Sequence, residues 1–461
     1  MIPIPPVWTL DIECYKDFFL VMLKNIASGQ VLYWESYPGK ELDVNAVADG
    51  ISLKQLVTFN GINYDFPILA LALTGASNQT LKEASDAIIL KGLKPWHVAE
   101  EFGGVDLSKI DHVDLIEVAP GLSGLKIYGG RLHSKRMQDL PIEPGASISP
   151  EQRKLLIKYC ANDLQTTIDL YHKLEPQLAL RREMSKEFDL DLRSKSDAQI
   201  AEAVIRKEVE KRVGHRVYRP DVHPAYKFKY HPPAWVAFQS EGMRQLMRVI
   251  DTCEFGLSPD GSVEMPSTLK GMRIRIGDGL YRMGIGGLHS TEGCSVHVAD
   301  ERHRIFDKDV RGYYPNLILT LKVCPPSMGE AFFLTFSDLV ARREVAKLQK
   351  EIDRDAGLKT STVSCFGKFG SKWSTLYFPE GLIHVTLTGQ LSILMLIESM
   401  EVSGISVIST NTDGITLRCP VGRENLMNAI ISAWEITTSL QMEETEYVAL
   451  YARDVNSYIA I

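Results

Sequence analysis

The run Thr9-Leu10-Asp11-Ile12-Glu13-Cys14-Tyr15 sets the hardest constraint on this chain. An apolar strand with two acids two residues apart points both carboxylates from the same face. Acids held in that way repel each other unless a cation neutralises them. Taken alone, the motif fits a solvated strand face as well as a metal site, so the rest of the chain has to decide.

Around it, strand-like and helix-like patterns alternate through residue 177, as in an α/β domain. Val7–Glu13 and Phe18–Leu23 read as neighbouring strands, and Gln55–Phe59 as a third. A long periodic helix covers Lys154–Leu174, and Glu175-Pro176 ends it. In the segment from Phe59 to Pro67, a strand stops at Asn60 and a helix opens near Tyr64. Asp65 then stands at the carboxyl end of a strand, where ligand groups gather in α/β sheets. It fits equally as an ordinary acid at a helix N-terminus. Tyr159 and Asp163, spaced i,i+4, share one helix face.

In order, D-x-E from position 11, N-x-x-x-Y-D from 60 and Y-x-x-x-D from 159 resemble the three motifs of the DEDDy proofreading exonucleases. Those enzymes have a ribonuclease-H-like fold, and the resemblance covers residues 1–177. It implies that Asp11, Glu13, Asp65 and Asp163 hold two divalent metal ions. One would lower the pKa of the attacking water, and the other would stabilise the leaving 3′ oxygen. Tyr159 would orient that water. Asn60 and Tyr64 would contact the unpaired primer end, where stacking tolerates any base.

A charged helical stretch follows from Leu178 to about Arg216, then an irregular connector with Pro220, Pro224, Pro232 and Pro233. From Gly277 the pattern is mixed, with strands, a basic helix at Ser337–Lys350 and a closing pair of strands.

Several segments of this second half resemble motifs of family B DNA polymerases. Phe306–Leu317 is similar to D-x-x-S-L-Y-P-S, with Gly312, Tyr313 and Asn316 in place of Ser, Leu and Ser. The resemblance makes Asp309 a metal ligand, and Tyr314 the ring beneath the incoming sugar that excludes a 2′-hydroxyl. Leu358–Gly370 is similar to K-x-x-x-N-S-x-Y-G; Lys359, Ser364 and Gly367 match, while Val363 and Phe366 replace Asn and Tyr. Lys359, with Arg343 and Lys347 on the preceding basic helix, would hold the triphosphate and offset its charge. Lys359 would also protonate the leaving pyrophosphate, and Phe366 would pack on the nascent base pair. Ile405–Arg418 reads as two strands joined by the turn Thr410–Asp413 and is similar to a D-T-D-S hairpin. Asn411 replaces its first acid; Asp413, the second, would share the metals with Asp309. Gly286 and Gly287 after Tyr281 resemble the Tyr-x-Gly-Gly element that contacts the template. Tyr458 matches the primer-gripping K-x-Y strand, with Asn456 at its lysine position.

The implied architecture is a ribonuclease-H-like α/β exonuclease domain (1–177), then a connector and start of a palm (178–276). An α+β palm with the first polymerase acid (277–324), short helical fingers (325–372) and the rest of the palm (373–461) follow, with no thumb. The implied activity is template-directed extension of a primer by deoxynucleotides with 3′→5′ proofreading, using two Mg2+ (or Mn2+) ions per site. Primer–template DNA, deoxynucleoside triphosphates and a thumb-bearing second polypeptide are the expected partners. The scale resembles compact bacteriophage enzymes, which implies viral DNA replication in the host cytoplasm. Two other readings stay open: a nuclease whose polymerase half is degenerate, and a non-catalytic DNA-holding subunit.

Composition bounds these expectations. A chain of 461 residues, 45% apolar and 24% charged, suits a soluble globular protein of two or three domains. No stretch approaches roughly 18 uncharged apolar residues, and the start lacks the pattern of a secretion signal. The expectation is therefore a cytoplasmic protein without a membrane partner. Its seven cysteines are scattered without a C-x-x-C pair, so neither a zinc ribbon nor a disulfide framework is indicated. A net charge of −7 looks unfavourable for binding phosphates. Placement matters more than the sum, and basic residues are dense at Arg206–Lys229 and Arg342–Lys350.

Overall fold

Strand β1 (Val7–Tyr15) is buried along most of its length, which its apolar run requires of a strand covered on both faces. It is the middle strand of a sheet with β2 (Phe18–Asn25), β3 (Val31–Ser36), β4 (Gln55–Thr58) and β5 (Asp111–Asp114), in the order β3-β2-β1-β4-β5. β1, β2 and β3 are antiparallel neighbours, whereas β4 and β5 run parallel to β1. The computed structural model describes residues 5–461. They form two compact units, one ending at Ser196 and the other running Asp197–Ile461.

The helices of the first unit are α1 (Val44–Ile51), α2 (Asp65–Ala72), α3 (Asn78–Lys91), α4 (Pro95–Phe102), α5 (Leu125–Arg131), α6 (Pro150–Lys173) and α7 (Glu175–Phe188). α6 lies on β1 and β2. Its start is written locally: Ser149 and Gln152 form a reciprocal capping box, with Pro150 in the first turn. The helix therefore opens four residues before the expected Lys154. Sequence alone divides the chain at 177, but the first unit continues to Ser196. Leu178 packs in one cluster with Val57 and Val113. Arg193 pairs with Asp111, and the Asp114 N–H donates to Ser194 Oγ at 2.8 Å.

The second unit opens with α8 (Asp197–Val213) and α9 (Glu241–Thr252), separated by irregular chain where the prolines stand. Short elements follow: β6 (Gly256–Leu257), β7 (Val263–Glu264), α10 (Ser267–Lys270), β8 (Ile274–Ile276), β9 (Gly279–Met283), β10 (Leu288–Ser290) and β11 (Ser295–Val298). Next come β12 (His303–Val310), α11 (Tyr313–Thr320), α12 (Gly329–Leu348), α13 (Ile352–Val363), α14 (Cys365–Lys368) and α15 (Pro379–Val402). The chain closes with β13 (Ser406–Asn411), β14 (Gly414–Pro420), α16 (Glu424–Thr438), β15 (Met442–Tyr447), β16 (Ala449–Asp454) and β17 (Ser457–Ala460). Seven strands form an antiparallel sheet of order β15-β12-β14-β13-β10-β9-β8, and β11-β16-β17 form a second. Helices α8, α12 and α13 pack together.

α15 is the core helix of this unit. By length and composition it is apolar enough to cross a membrane, yet 83% of its most apolar stretch is buried in the protein. Gly381–Ile397, between Glu380 and Glu398, is 17 residues without Asp, Glu, Lys or Arg, which corrects the expectation that no stretch approaches such a length; His384, Thr386, Thr388, Gln390 and Ser392 dilute its apolar character. Buried Glu398 accepts from the Gln239 N–H and from the N–H and hydroxyl of Ser240. Three donors satisfy a carboxylate that would otherwise be costly to bury.

Candidate active sites

The sheet of the first unit brings four acids together. β1 supplies Asp11 and Glu13, the first turn of α2 supplies Asp65, and α6 supplies Asp163 one turn after Tyr159. Burial raises the pKa of all four, and repulsion by neighbouring carboxylates adds to it at Asp11, Glu13 and Asp65. Asp11 is pushed up to about 7, first by burial and then by Asp163. Glu13 is raised by burial and then by Asp11, Asp163 and Asp65, partly offset by Lys126. Asp65 is raised by burial and then by Asp11 and Asp114. Asp163 is raised by burial, against a hydrogen bond from Tyr159 and the charge of Lys126. Unlike Glu398, this cluster is short of donors: Asp65 Oδ1 is buried with no hydrogen-bond partner. Hard oxygen donors that repel one another, one of them buried without a hydrogen-bond partner, fit Mg2+ or Mn2+.

The sequence missed three supports of this site. Asp114, 1% exposed, accepts the N–H groups of Asn60 at 2.7 Å and Ile62 at 2.9 Å. It thereby clamps the loop that delivers Asp65. Lys126 lies over the Tyr159 ring, 5.6 Å from its centroid. Cys160 places Sγ 3.6 Å from Asp11 Oδ2. Asn60 has a left-handed backbone, φ +67°, and its side-chain carbonyl accepts from Asn63 at 2.8 Å. Tyr64 is half-buried. Its ring packs on the apolar core, and its hydroxyl meets Ser85 Oγ at 2.8 Å. Ile62 and Asn63 are the exposed residues of that loop.

In the second unit the acids meet on one sheet. β12 and β14 pair with Asp309 opposite Gly414, and β15 brings Glu443 to the other side of Asp309. The β13–β14 turn runs one residue later than expected, because Asn411 still pairs with Gly414. Thr412 and Asp413 occupy its tip, with Thr412 at φ +61°. The glycine after Asp413 is essential to the approach: a Cβ at Gly414 would lie 1.9 Å from Asp309 Oδ1. Partial burial raises the pKa of Asp309 to about 6, with further contributions from Asp307, Asp413 and Glu443. Asp413 is raised by burial and by Asp307. Asp307 itself has both oxygens committed, to Thr416 Oγ1 and Tyr447 Oη, each at 2.8 Å. That leaves Asp309 and Asp413 as the pair available to cations.

Two clefts meet at Asp413. One, of about 270 Å3, holds Asp309, Asn411 and Tyr458. The other, of about 380 Å3, is lined by Tyr314, Arg343, Lys347 and Lys359. Lys347 and Lys359 have no acid partner among the described residues, whereas Arg343 Nε donates to Asp355 at 3.0 Å. Arg311, unmarked in the sequence, also lines this cleft and pairs with Glu344. Tyr314 stacks on Phe366, with ring centroids 4.1 Å apart and planes 10° apart, and its hydroxyl donates to the Gly286 carbonyl. A Cβ at Gly287 would lie 2.7 Å from the Thr412 hydroxyl, so the glycine pair lets two turns close on each other. Gly312, where the polymerase motif has serine, takes φ +55° at the start of α11. That left-handed conformation favours glycine. The amide of Asn411 reaches Val455 O and Asn456 Oδ1 at 3.4 Å.

No family model matches the sequence, and no curated protein matches it. Among solved structures, the chain is similar to the family B DNA polymerase from the hyperthermophilic archaeon Pyrobaculum calidifontis, with a TM-score of 0.50 at 15% identity. The similarity takes in 100% of this chain and 59% of that polymerase, so the chain spans about three-fifths of its length. At this identity the likeness establishes the fold.

Proposed function

We propose that this chain is a template-directed DNA polymerase with a 3′→5′ proofreading exonuclease. The observation that carries the reading is one cleft lined by Asp413, Tyr314, Lys347 and Lys359, in which the two lysines have no acid partner among the described residues and Tyr314 is stacked on Phe366. An acid pair beside free ammonium groups suits a triphosphate whose charge must be held as it shifts to the leaving group. In this reading residues 325–372 act as fingers and the seven-stranded sheet as the palm. Lys347 and Lys359 hold the phosphates. Tyr314, braced by Phe366 and Gly286, lies under the sugar and occupies the volume of a 2′-hydroxyl. Tyr458 sits at the cleft of Asp309, where the primer end belongs.

Asp309 and Asp413 would hold the polymerase ions, and Asp11, Glu13, Asp65 and Asp163 those of the nuclease. Bound there, divalent ions make the attacking oxygen more acidic and stabilise the leaving one. Tyr159, hydrogen-bonded to Asp163 and capped by Lys126, orients the water in the first unit. A mispaired primer end frays, enters the first site as a single strand and is cut, an editing step that adds to base-pair selection.

A nuclease with a degenerate polymerase half is the second reading, favoured by Asn411 and by the Arg343–Asp355 pair. Primer extension with labelled nucleotides, run beside Asp11→Ala and Asp309→Ala, separates the two. Extension lost only in Asp309→Ala supports the polymerase. Digestion without any extension by the wild type supports the second reading.

A further inference from the structure

The basic stretch Arg206–Lys229 has no part in either proposed site. At its centre Val217 is buried and its N–H donates to Glu210 Oε1 at 2.9 Å, while Arg216, Tyr218 and Arg219 around it are exposed. Of the tryptophans and tyrosines described, Trp373 and Tyr218 are the most exposed, at 74% and 71%. Cations join the two rings. The Arg219 guanidinium lies 5.2 Å from the Trp373 ring centroid and Lys372 Nζ 5.3 Å from it, and the Arg216 guanidinium lies 5.8 Å from that of Tyr218. Arg216 and Arg219 have no acid partner among the described residues. Lys372 donates to the Pro259 carbonyl at 3.3 Å, near exposed Asp260.

Trp373 is held out by a loop that is tied down on either side of it. The Phe378 N–H donates to the Phe369 carbonyl at 2.9 Å, the Thr375 N–H to Glu202 Oε1 at 2.7 Å, and the Tyr377 hydroxyl to the Gly261 carbonyl at 2.7 Å. Ser374, Leu376 and Tyr377 are buried. The ring is therefore presented by ordered backbone, which lowers the entropy lost on binding. The same loop reaches the polymerase cleft through aromatic contacts: Phe369 lies 6.3 Å from Phe366, which stacks on Tyr314. Two rings left in water among three cations, in a chain of net charge −7, fit a polyanion with flat faces. A single strand offers a π-face on every base and a charge on every phosphate. A duplex keeps its bases stacked inward and would leave both rings unused.

We propose that Trp373, Tyr218, Arg216, Arg219 and Lys372 form a binding surface for single-stranded DNA, and that its occupant during extension is the unpaired template ahead of the cleft. The second half rests on the polymerase reading.

The test uses the full chain in a chelator, where neither proposed activity runs. Quenching of tryptophan fluorescence follows titration with an oligothymidylate of about 12 nucleotides, within the span of one such site. Trp373→Ala, Trp373→Phe and Tyr218→Ala are carried in parallel, with thermal melts to show that each is folded. The two alanine variants should each lose affinity on the order of 10–100-fold, the share of one stacked base. Trp373→Phe should keep most of the affinity and lose the quench. Arg216→Gln with Arg219→Gln should flatten the slope of log affinity against log salt by about 1.4, at roughly 0.7 per phosphate contact. Wild-type affinity in folded Trp373→Ala would overturn the inference. For the template, a primer–template with a 5′ overhang of about 12 bases should bind more tightly than the same duplex with a single unpaired template base. Trp373→Ala should erase that difference, and equal binding of both by the wild type would overturn the template assignment. The two readings fail separately. Trp373-dependent quenching without primer extension removes the polymerase and keeps the surface; extension with oligothymidylate affinity unchanged in Trp373→Ala does the reverse.

Discussion

The smallest feature on which the polymerase reading turns is a missing methyl group. Gly414 lets Asp309 approach Asp413, and a Cβ there would lie 1.9 Å from the Asp309 carboxylate. Gly414→Ala must displace the acid, and displacement of about 1 Å in a reacting group costs on the order of 100-fold. Primer extension should fall by that much while single-strand digestion by the same preparation stays unchanged; equal extension would show that Asp309 is not a metal ligand. Tyr314 offers a second test. Its ring is fixed by Phe366 and Gly286, so Tyr314→Ala opens a defined volume under the sugar. Discrimination against ribonucleotides should relax on the order of 10–200-fold in single-turnover assays, the scale set by filling or emptying a small space. The acids of the first unit also give a signed pH dependence. Asp11 has a folded pKa of about 7 against 3.8 when exposed, so the folded state binds more protons between these values. Its contribution to the stability of the metal-free protein therefore falls as pH rises through that window. Asp11→Asn removes this contribution. In a chelator, the variant's advantage in unfolding free energy should grow from about pH 5 to about pH 8, reaching on the order of 1–3 kcal/mol. Saturating Mg2+ should reverse it, and a difference independent of pH would show that the Asp11 charge is not strained.

Elements divide the legible from the illegible. The acid pair of β1, the i,i+4 pair on α6 and the basic face of α12 were readable because period alone puts those side chains on shared faces. β3 and β5 were not. Val31–Ser36 is half exposed, and Asp111–Asp114 is four residues carrying two acids and a histidine, so neither shows an apolar run. Asp114 was therefore lost, although it clamps the loop before Asp65. At Tyr64 the motif specifies an aromatic ring but not its direction, and the direction, toward the core and Ser85, comes from the fold. Asp307 was visible two residues before Asp309 on the same strand face, yet only the fold shows that Thr416 and Tyr447 occupy it. In the expected triphosphate clamp, Arg343 of α12 pairs with Asp355 of α13, whereas Lys347 of α12 and Lys359 of α13 have no acid partner among the described residues. Lys359→Ala should lower kcat/KM for nucleotide addition on the order of 100–1,000-fold, the usual loss for one donor to transition-state charge. Arg343→Ala should act chiefly on thermal stability. A reversed order of effects in steady-state kinetics and melts would return Arg343 to the phosphate site.

At the scale of the whole molecule, the proposed nuclease activity should be separable from the proposed polymerase activity, and the two compact units say where to cut. The first unit has its own apolar clusters on both faces of its sheet and ends at Ser196. The motifs alone put the boundary at 177, after α6. A cut there would discard Leu178 from the cluster around Val57 and Val113, on a helix whose loss exposes that apolar surface. It would also discard the Arg193 that pairs with Asp111. More important for function, it removes Ser194, whose hydroxyl accepts the backbone N–H of Asp114. Asp114 in turn holds the Asn60 and Ile62 amides that set the path into α2 and Asp65. A fragment of residues 1–196 should therefore melt cooperatively and digest single strands in Mg2+. A fragment of residues 1–177 should melt lower and digest more slowly even at temperatures where it stays folded. Ser194→Ala in the longer fragment isolates the chain from Ser194 through Asp114 to Asp65, since it spares the apolar contacts. It should reduce digestion more than it reduces stability, because a ligand's supporting hydrogen bonds typically carry about 10–100-fold in affinity or activity. Digestion by the 1–177 fragment at the full rate of the longer one would show that Asp65 is held by its own helix alone.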